Sequence, residues 1–229
     1  MWSWEGFFSY LSNEYIFQGA VTTIWLTIAA ILLGLLLGLI IALLRMSNVR
    51  AFSTFAAVYI WLFRGTPLLV QLIVLYTGLP QMGIRLTVIQ AALIGLTLNE
   101  AAYLSEIIRA GISAVPVGQQ NAARALGFRN YQVMLYVVLP QAFRIIIPPL
   151  GNSINSLLKM TSVTSVISME ELLRRTQILI QEKFMVLELF AVAAIYYLAL
   201  TTLWDFAQRR IEARVSRGHK TNVSLAEQG

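Results

Sequence analysis

The sequence predicts an all-α integral membrane protein with five transmembrane helices. Of its 229 residues, 58% are hydrophobic and only 12% are charged, whereas a typical soluble domain has about 25% charged residues. The mean hydropathy is +0.70, and the segment 20–44 contains no charged residue. A helix of about 20 apolar residues is long enough to cross a bilayer. We therefore expect residues 1–229 to form a single transmembrane domain.

Four further apolar stretches complete the predicted set of spans. They cover residues 55–79, 86–108, 145–169 and 187–206. Basic residues concentrate after the first span, around 109–144 and in the tail 207–229. The positive-inside rule places these segments in the cytoplasm, with the N-terminus outside and the C-terminus inside. The aromatic residues within 2–17 are typical of a short helix in the outer membrane interface.

Charge and composition exclude several other classes of protein. The net charge of +6 indicates membrane orientation and attraction to anionic membrane lipids, not nucleic-acid binding. With no cysteine and only His219, the chain is expected to hold no metal and no cofactor. It contains no GxxxxGK[ST] phosphate loop, so ATP hydrolysis would need another chain. No Ser/His, Cys/His or carboxylate pair has the spacing of an intramembrane enzyme.

A polar segment between spans three and four carries helix start and stop signals. Helix-forming residues follow Pro116 and Gly118, and Gly127 can end the helix in a left-handed conformation. We predict a cytoplasmic helix over about 118–127, which the residues alone leave open as either a docking element or an ordinary connection. Its candidate contact residues are Asn121, Ala122, Ala123, Arg124, Ala125, Leu126 and Gly127.

Span four carries a stripe of polar residues. Asn152, Ser156, Lys159 and Ser162 recur every three or four residues, and Asn155 flanks them, so the stripe lies on one helical face. Because exposing polar groups to lipid costs free energy, we expect this face to contact water or other helices. A translocation pathway and interhelical packing both fit that requirement.

Lys159 is the most demanding member of the stripe. An ammonium deep in a span costs about 2.5–3.5 kcal/mol unless it finds water or a partner. The anion could be a substrate carboxylate or Glu100 in span three. Glu100 is therefore a second candidate for the substrate pathway.

The spacing of the polar segment resembles the EAA loop of bacterial ABC importer permeases. That pattern is Glu-Ala-Ala, three residues, Gly, nine residues, Ile, one residue and Leu-Pro. Here Asn121 replaces the Glu and Val137 replaces the Ile, while the other fixed positions match. Stretches at 63–71, 99–112 and 158–163 also resemble the polar amino acid uptake branch of this family. The resemblance extends over about residues 18–210.

The resemblance implies a permease subunit of the cell inner membrane that works with several partners. These would be two ATP-binding cassette subunits docking on 121–127, a second permease copy or paralogue, and a periplasmic or lipid-anchored amino-acid-binding protein. The family often has Asp after the lysine, but this chain has Met160, which favours a neutral or acidic substrate. The alternative is a self-sufficient ion-coupled transporter, against which the absence of an inverted repeat counts.

Overall fold

The computed structural model describes residues 2–216, and within that range it contains helices and no strand. The predicted all-α class is confirmed. The helices are α1 (Trp4–Leu11), α2 (Glu14–Arg45), α3 (Arg50–Gly65), α4 (Leu68–Met82), α5 (Val88–Ser113), α6 (Val117–Ala125), α7 (Asn130–Ile167), α8 (Leu172–Lys183) and α9 (Val186–Ser216). His219 and the rest of the predicted tail after residue 216 lie outside the described residues.

Four helices, α2, α5, α7 and α9, are each long and apolar enough to cross a membrane, and α3 with α4 makes a fifth candidate span. The predicted span 55–79 is not a single straight helix, because α3 and α4 meet at an angle of 102°. Pro67 explains the bend. A proline disfavours helical geometry in the residue before it, and Thr66 is extended, with φ −120° and ψ 146°.

The backbone groups freed by the bend are bound by two amide side chains. Gln71 Nε2 donates to the carbonyl oxygens of Phe63 at 3.0 Å and Thr66 at 3.2 Å. Asn99 of α5 donates to the Phe63 carbonyl at 3.2 Å and to Gln71 Oε1 at 3.1 Å. The bend is thereby tied to the middle of α5.

Each of the other spans extends beyond its predicted range at one end or both. α7 begins at Asn130, well before the predicted start at 145, and α9 continues to Ser216, past the predicted end at 206. Two wider π-helical turns occur, at Val74–Gly78 in α4 and Val133–Val138 in α7, each followed by a Leu-Pro pair. A proline ring crowds the carbonyl four residues earlier, so a wider turn before it relieves the clash.

Close packing of α2 against α5 fixes the centre of the molecule. A Cβ atom added to Gly38 would stand 3.0 Å from the Ala101 carbonyl oxygen and 3.1 Å from the Leu104 Cβ. One turn away, a Cβ atom on Gly34 would touch the Glu100 side chain at 3.4 Å. The small residues let the two helices approach closely and hold Glu100 in place.

Candidate translocation cleft and coupling helix

An open cleft of about 810 Å³ lies between α5 and α7, with Arg64 of α3 at its edge. The α5 wall includes Glu100, Tyr103, Glu106 and Arg109, and the α7 wall includes Pro149, Asn152, Ser153, Ser156 and Met160. The volume is within the usual range for small-molecule sites. The cleft also reaches Gly111 and Ala114, near the α5 end that precedes α6.

Glu100 is the buried acid of this cleft, with 4% of its surface exposed. Its carboxylate accepts a short hydrogen bond from the Ser153 hydroxyl. Lys159 forms no ion pair within 4 Å among residues 2–216 and does not line the cleft. The Lys159–Glu100 pair considered from the sequence is thus not formed in this structure.

The polar residues predicted along span four do not all line the cleft. Asn152 and Ser156 line the cleft, whereas Asn155 donates a hydrogen bond to the Asp205 carboxylate of α9. Ser162 donates to the Lys159 carbonyl at 2.6 Å and does not line the cleft. The pathway interpretation therefore fits Asn152 and Ser156, while Asn155 contributes to helix packing.

Ser153 and Asp205 were missed by the sequence analysis. Ser153 lies between the stripe positions Asn152 and Ser156, so periodicity alone gave no reason to choose it. Asp205 lies near the C-terminal end of the predicted span 187–206. An acidic residue within a span usually has a polar partner, so its presence there was a signal that could have been used.

Three charges cluster in the half of the cleft nearer α6. Arg109 binds Glu106 through two hydrogen bonds of 3.0 and 2.8 Å. Arg64 reaches the same carboxylate at 3.9 Å and lies over the Tyr103 ring at 5.2 Å. With two guanidinium groups around one carboxylate, this part of the cleft carries net positive charge.

The predicted cytoplasmic helix corresponds to α6, which ends at Ala125. Gly127 has φ +88°, and its N–H donates to the Arg124 carbonyl while that of Phe128 donates to the Ala123 carbonyl. These two bonds form a Schellman cap. Glycine is the residue that adopts this conformation without a steric penalty.

The side chains of α6 face two ways. Ala123 is buried and packs with Ile112 of α5 and Val133 and Val138 of α7. The other candidate contact residues, Asn121, Ala122, Arg124, Ala125, Leu126 and Gly127, are exposed. Arg124 donates to the Asn121 side chain at 3.0 Å and to that of Asn130 at 3.1 Å. Asn121 therefore supplies an acceptor for Arg124 where the family pattern has a glutamate.

Comparisons with known proteins agree with this architecture. The arginine transport system permease protein ArgU of Corynebacterium glutamicum is 39% identical over 99% of this chain and 76% of its own length. The L-cystine transport system permease protein TcyB of Bacillus subtilis is 42% identical over 87% of this chain and 86% of its own. A chain in the crystal structure of an amino acid ABC transporter with histidines has a TM-score of 0.84 and 38% identity, covering 87% of this chain and 94% of its own.

A second solved structure, an inward-facing form of the MetNI methionine ABC transporter, shares the fold at a TM-score of 0.75 but only 20% identity. It covers 89% of this chain and 97% of its own. The family model described as binding-protein-dependent transport system inner membrane component matches residues 30–217. This chain belongs to that family, and it is a multi-pass inner-membrane permease subunit of an ABC importer rather than an enzyme.

Proposed function

We propose that this permease translocates a neutral polar amino acid, which an external binding protein delivers. The observation that carries the proposal is the cleft of about 810 Å³, whose walls present the Glu100 carboxylate and the polar side chains of Asn152, Ser153 and Ser156. Relatives named for the transport of arginine, glutamine and L-cystine support the amino acid class.

The charges in and near the cleft suit a zwitterionic solute. The Glu100 carboxylate fits a substrate ammonium. The exposed Lys159 ammonium would bind a substrate carboxylate in a pathway formed together with a second permease subunit. Met160 lines the cleft where the family often has an acid. With one fewer anion available for a cationic side chain, a neutral substrate is favoured over arginine.

Two ATP-binding cassette subunits would drive the cycle from the exposed face of α6. Ala123 packs against both the end of α5 and the start of α7, and Gln141 of α7 donates to Gln119 of α6 at 2.7 Å. A displacement of α6 would therefore be transmitted to both walls of the cleft. Closure of the ATPase subunits would alternate access to the site in this way.

The test is uptake by the importer reconstituted in proteoliposomes with its ATPase subunits and binding protein. Uptake should require ATP, and neutral polar amino acids should compete better than arginine. Uptake by the permease without ATPase subunits would instead support the ion-coupled alternative. Stronger competition by arginine would contradict the proposal that the substrate is a neutral amino acid.

A matched pair of lysine variants tests the substrate site. Lys159→Met should reduce uptake at least tenfold without lowering the melting temperature, because the variant removes only an exposed ammonium. Lys183→Met, at the exposed end of α8, serves as the control and should transport normally. Normal uptake by Lys159→Met would remove Lys159 from the substrate pathway.

A further inference from the structure

A second groove, of about 330 Å³, lies along the α2–α3 hairpin and shares no lining residue with the translocation cleft. It is lined by Arg45 at the end of α2 and by Ser53, Thr54, Ala57, Val58 and Trp61 of α3. α3 packs on α2 through a different face, which carries Ala56 and Ile60. The groove is therefore an open surface feature next to the contact between the two helices.

One end of the groove is cationic and polar. Arg45 donates to the Ser53 hydroxyl at 2.9 Å, and Ser53 donates back to the Arg45 carbonyl at 3.2 Å. Arg50 is exposed one turn before Thr54 on the same helical face. Within residues 2–216, neither arginine has a carboxylate within 4 Å. This end of the groove therefore presents the Arg45 guanidinium and two hydroxyl groups, with Arg50 one turn away along α3.

The other end of the groove is apolar. Trp61 is 73% exposed and Val58 is 54% exposed, while the small Ala57 side chain leaves room between them. Trp61 lies about 10 Å along the helix from Thr54. Ala42, on the last turn of α2, packs in the same cluster as Ala123 of α6. The cationic end of the groove is therefore at the membrane boundary on the α6 side, and the apolar end points into the membrane.

We propose that this groove binds one anionic phospholipid. The phosphate would accept hydrogen bonds from Arg45 and from the Thr54 hydroxyl, and Arg50, one turn before Thr54, would add a second positive charge. An acyl chain would lie over Ala57 against Trp61. The change from cationic to apolar lining follows the order of groups in a phospholipid. A zwitterionic lipid fits less well, because the arginines repel the ammonium of its headgroup.

A lipid held there would also act on transport. The groove follows α3 from Ser53 to Trp61, and α3 ends at Gly65, at the bend before α4. Binding would tie α3 to the end of α2 and so restrict movement at the bend. Turnover of the reconstituted importer should consequently depend on the anionic lipid content of the bilayer.

Native mass spectrometry of the purified importer complex tests the site directly. The probes are phosphatidylglycerol, phosphatidylcholine and inorganic phosphate. Because each basic residue near an anionic headgroup contributes about a fivefold gain in affinity, Arg45→Gln with Arg50→Gln should reduce bound phosphatidylglycerol roughly 25-fold. The matched control, Arg209→Gln with Arg210→Gln, makes the same change in net charge at the exposed end of α9 and should retain the lipid.

A second variant tests the groove without removing charge. Ala57→Leu should fill the space for the acyl chain and lower phosphatidylglycerol occupancy, whereas Ala194→Leu, an exposed position on α9, should not. The proposal would be overturned if the Arg45/Arg50 and Ala57 variants bound as much phosphatidylglycerol as the wild-type protein. It would also be overturned by equally tight binding of inorganic phosphate, which would indicate a free-anion site, or by separation of the permease pair by Ala57→Leu, which would indicate a subunit interface.

Discussion

Gln71 makes most of the side-chain hydrogen bonds at the bend between α3 and α4, and Gln71→Leu tests how much they stabilise it. The two N–H groups of Gln71 are shared among the Phe63 carbonyl at 3.0 Å, the Thr66 carbonyl at 3.2 Å and the Thr66 hydroxyl at 2.9 Å. Its Oε1 accepts from Asn99 Nδ2 at 3.1 Å. Leucine keeps a similar volume and removes all of these bonds.

The size of the effect follows from which groups lose their partners. The Phe63 carbonyl keeps its bond from Asn99, but the Thr66 carbonyl loses its bond from Gln71 and Asn99 loses an acceptor. A buried polar group left without a partner costs about 1–3 kcal/mol, and Thr66 is only partly buried. We expect Gln71→Leu to destabilise the fold by about 2–4 kcal/mol, which lowers the melting temperature by roughly 4–16 °C for a chain of this size.

The assay is thermal unfolding of the purified permease in detergent. Gln81→Leu is the matched control, because Gln81 is exposed in the last turn of α4 and has no side-chain hydrogen bond among the described residues. Combining Gln71→Leu with Asn99→Ala should be less destabilising than the sum of the single variants, since both remove the same contact. If Gln71→Leu melted as high as Gln81→Leu, the hydrogen bonds of Gln71 would not stabilise the bend.

Three other outcomes are expected. Gly127→Asp places a branched, charged residue at φ +88° beside the docking face, so it should lower the ratio of uptake to ATP hydrolysis while leaving membrane insertion intact; an unchanged ratio would refute docking at α6. Glu171 is fully buried, caps α8 and accepts a hydrogen bond from Tyr197, and burial raises the pKa of its carboxyl above the usual value. The folded state then holds its proton more tightly than the unfolded state, so stability is greatest below the ordinary pKa and falls as pH rises through the raised value. As pH rises from below the ordinary glutamate pKa to above the raised value, the melting temperature should fall more for the wild type than for Glu171→Gln. Identical curves for the two proteins would refute this linkage. A phosphatase that is active only outside the cytoplasm should be inactive when fused to the C-terminus, because the C-terminus is predicted to lie inside. Activity of the fusion would reverse the predicted orientation.

Local signals were sufficient for some features of the fold. The end of α6 depends on Gly127 and on bonds within a few residues of it, so it could be predicted from the sequence. A break at Gly65, Thr66 and Pro67 was also signalled locally, but its angle was not. A window of apolar residues reports that a segment can lie in a membrane and not that it runs straight.

Contacts between distant segments could not be read in this way. Periodicity placed Asn152, Asn155 and Ser156 on neighbouring parts of α7, but only the position of α9 directs Asn155 toward Asp205. The partner of Glu100 is Ser153, 53 residues further along the chain. α8 was missed because it is a short helix of 12 residues, too short to span and therefore invisible to a search for spans.

The order of the helices provides a connection by which a partner bound to α6 would act on the cleft. α6 joins α5 directly to α7, which are the two walls of the cleft, so the chain itself connects the docking face to both. In α7, the pair Pro148 and Pro149 separates the segment that packs on α6, which includes the π-helical turn at Val133–Val138, from the segment that carries Ser153. The missing N–H groups of the prolines remove helical hydrogen bonds there. The α6 end of α7 can consequently tilt with α6 while the bond between Ser153 and Glu100 holds the inner part against α5, so the cleft would open and close from its α6 end.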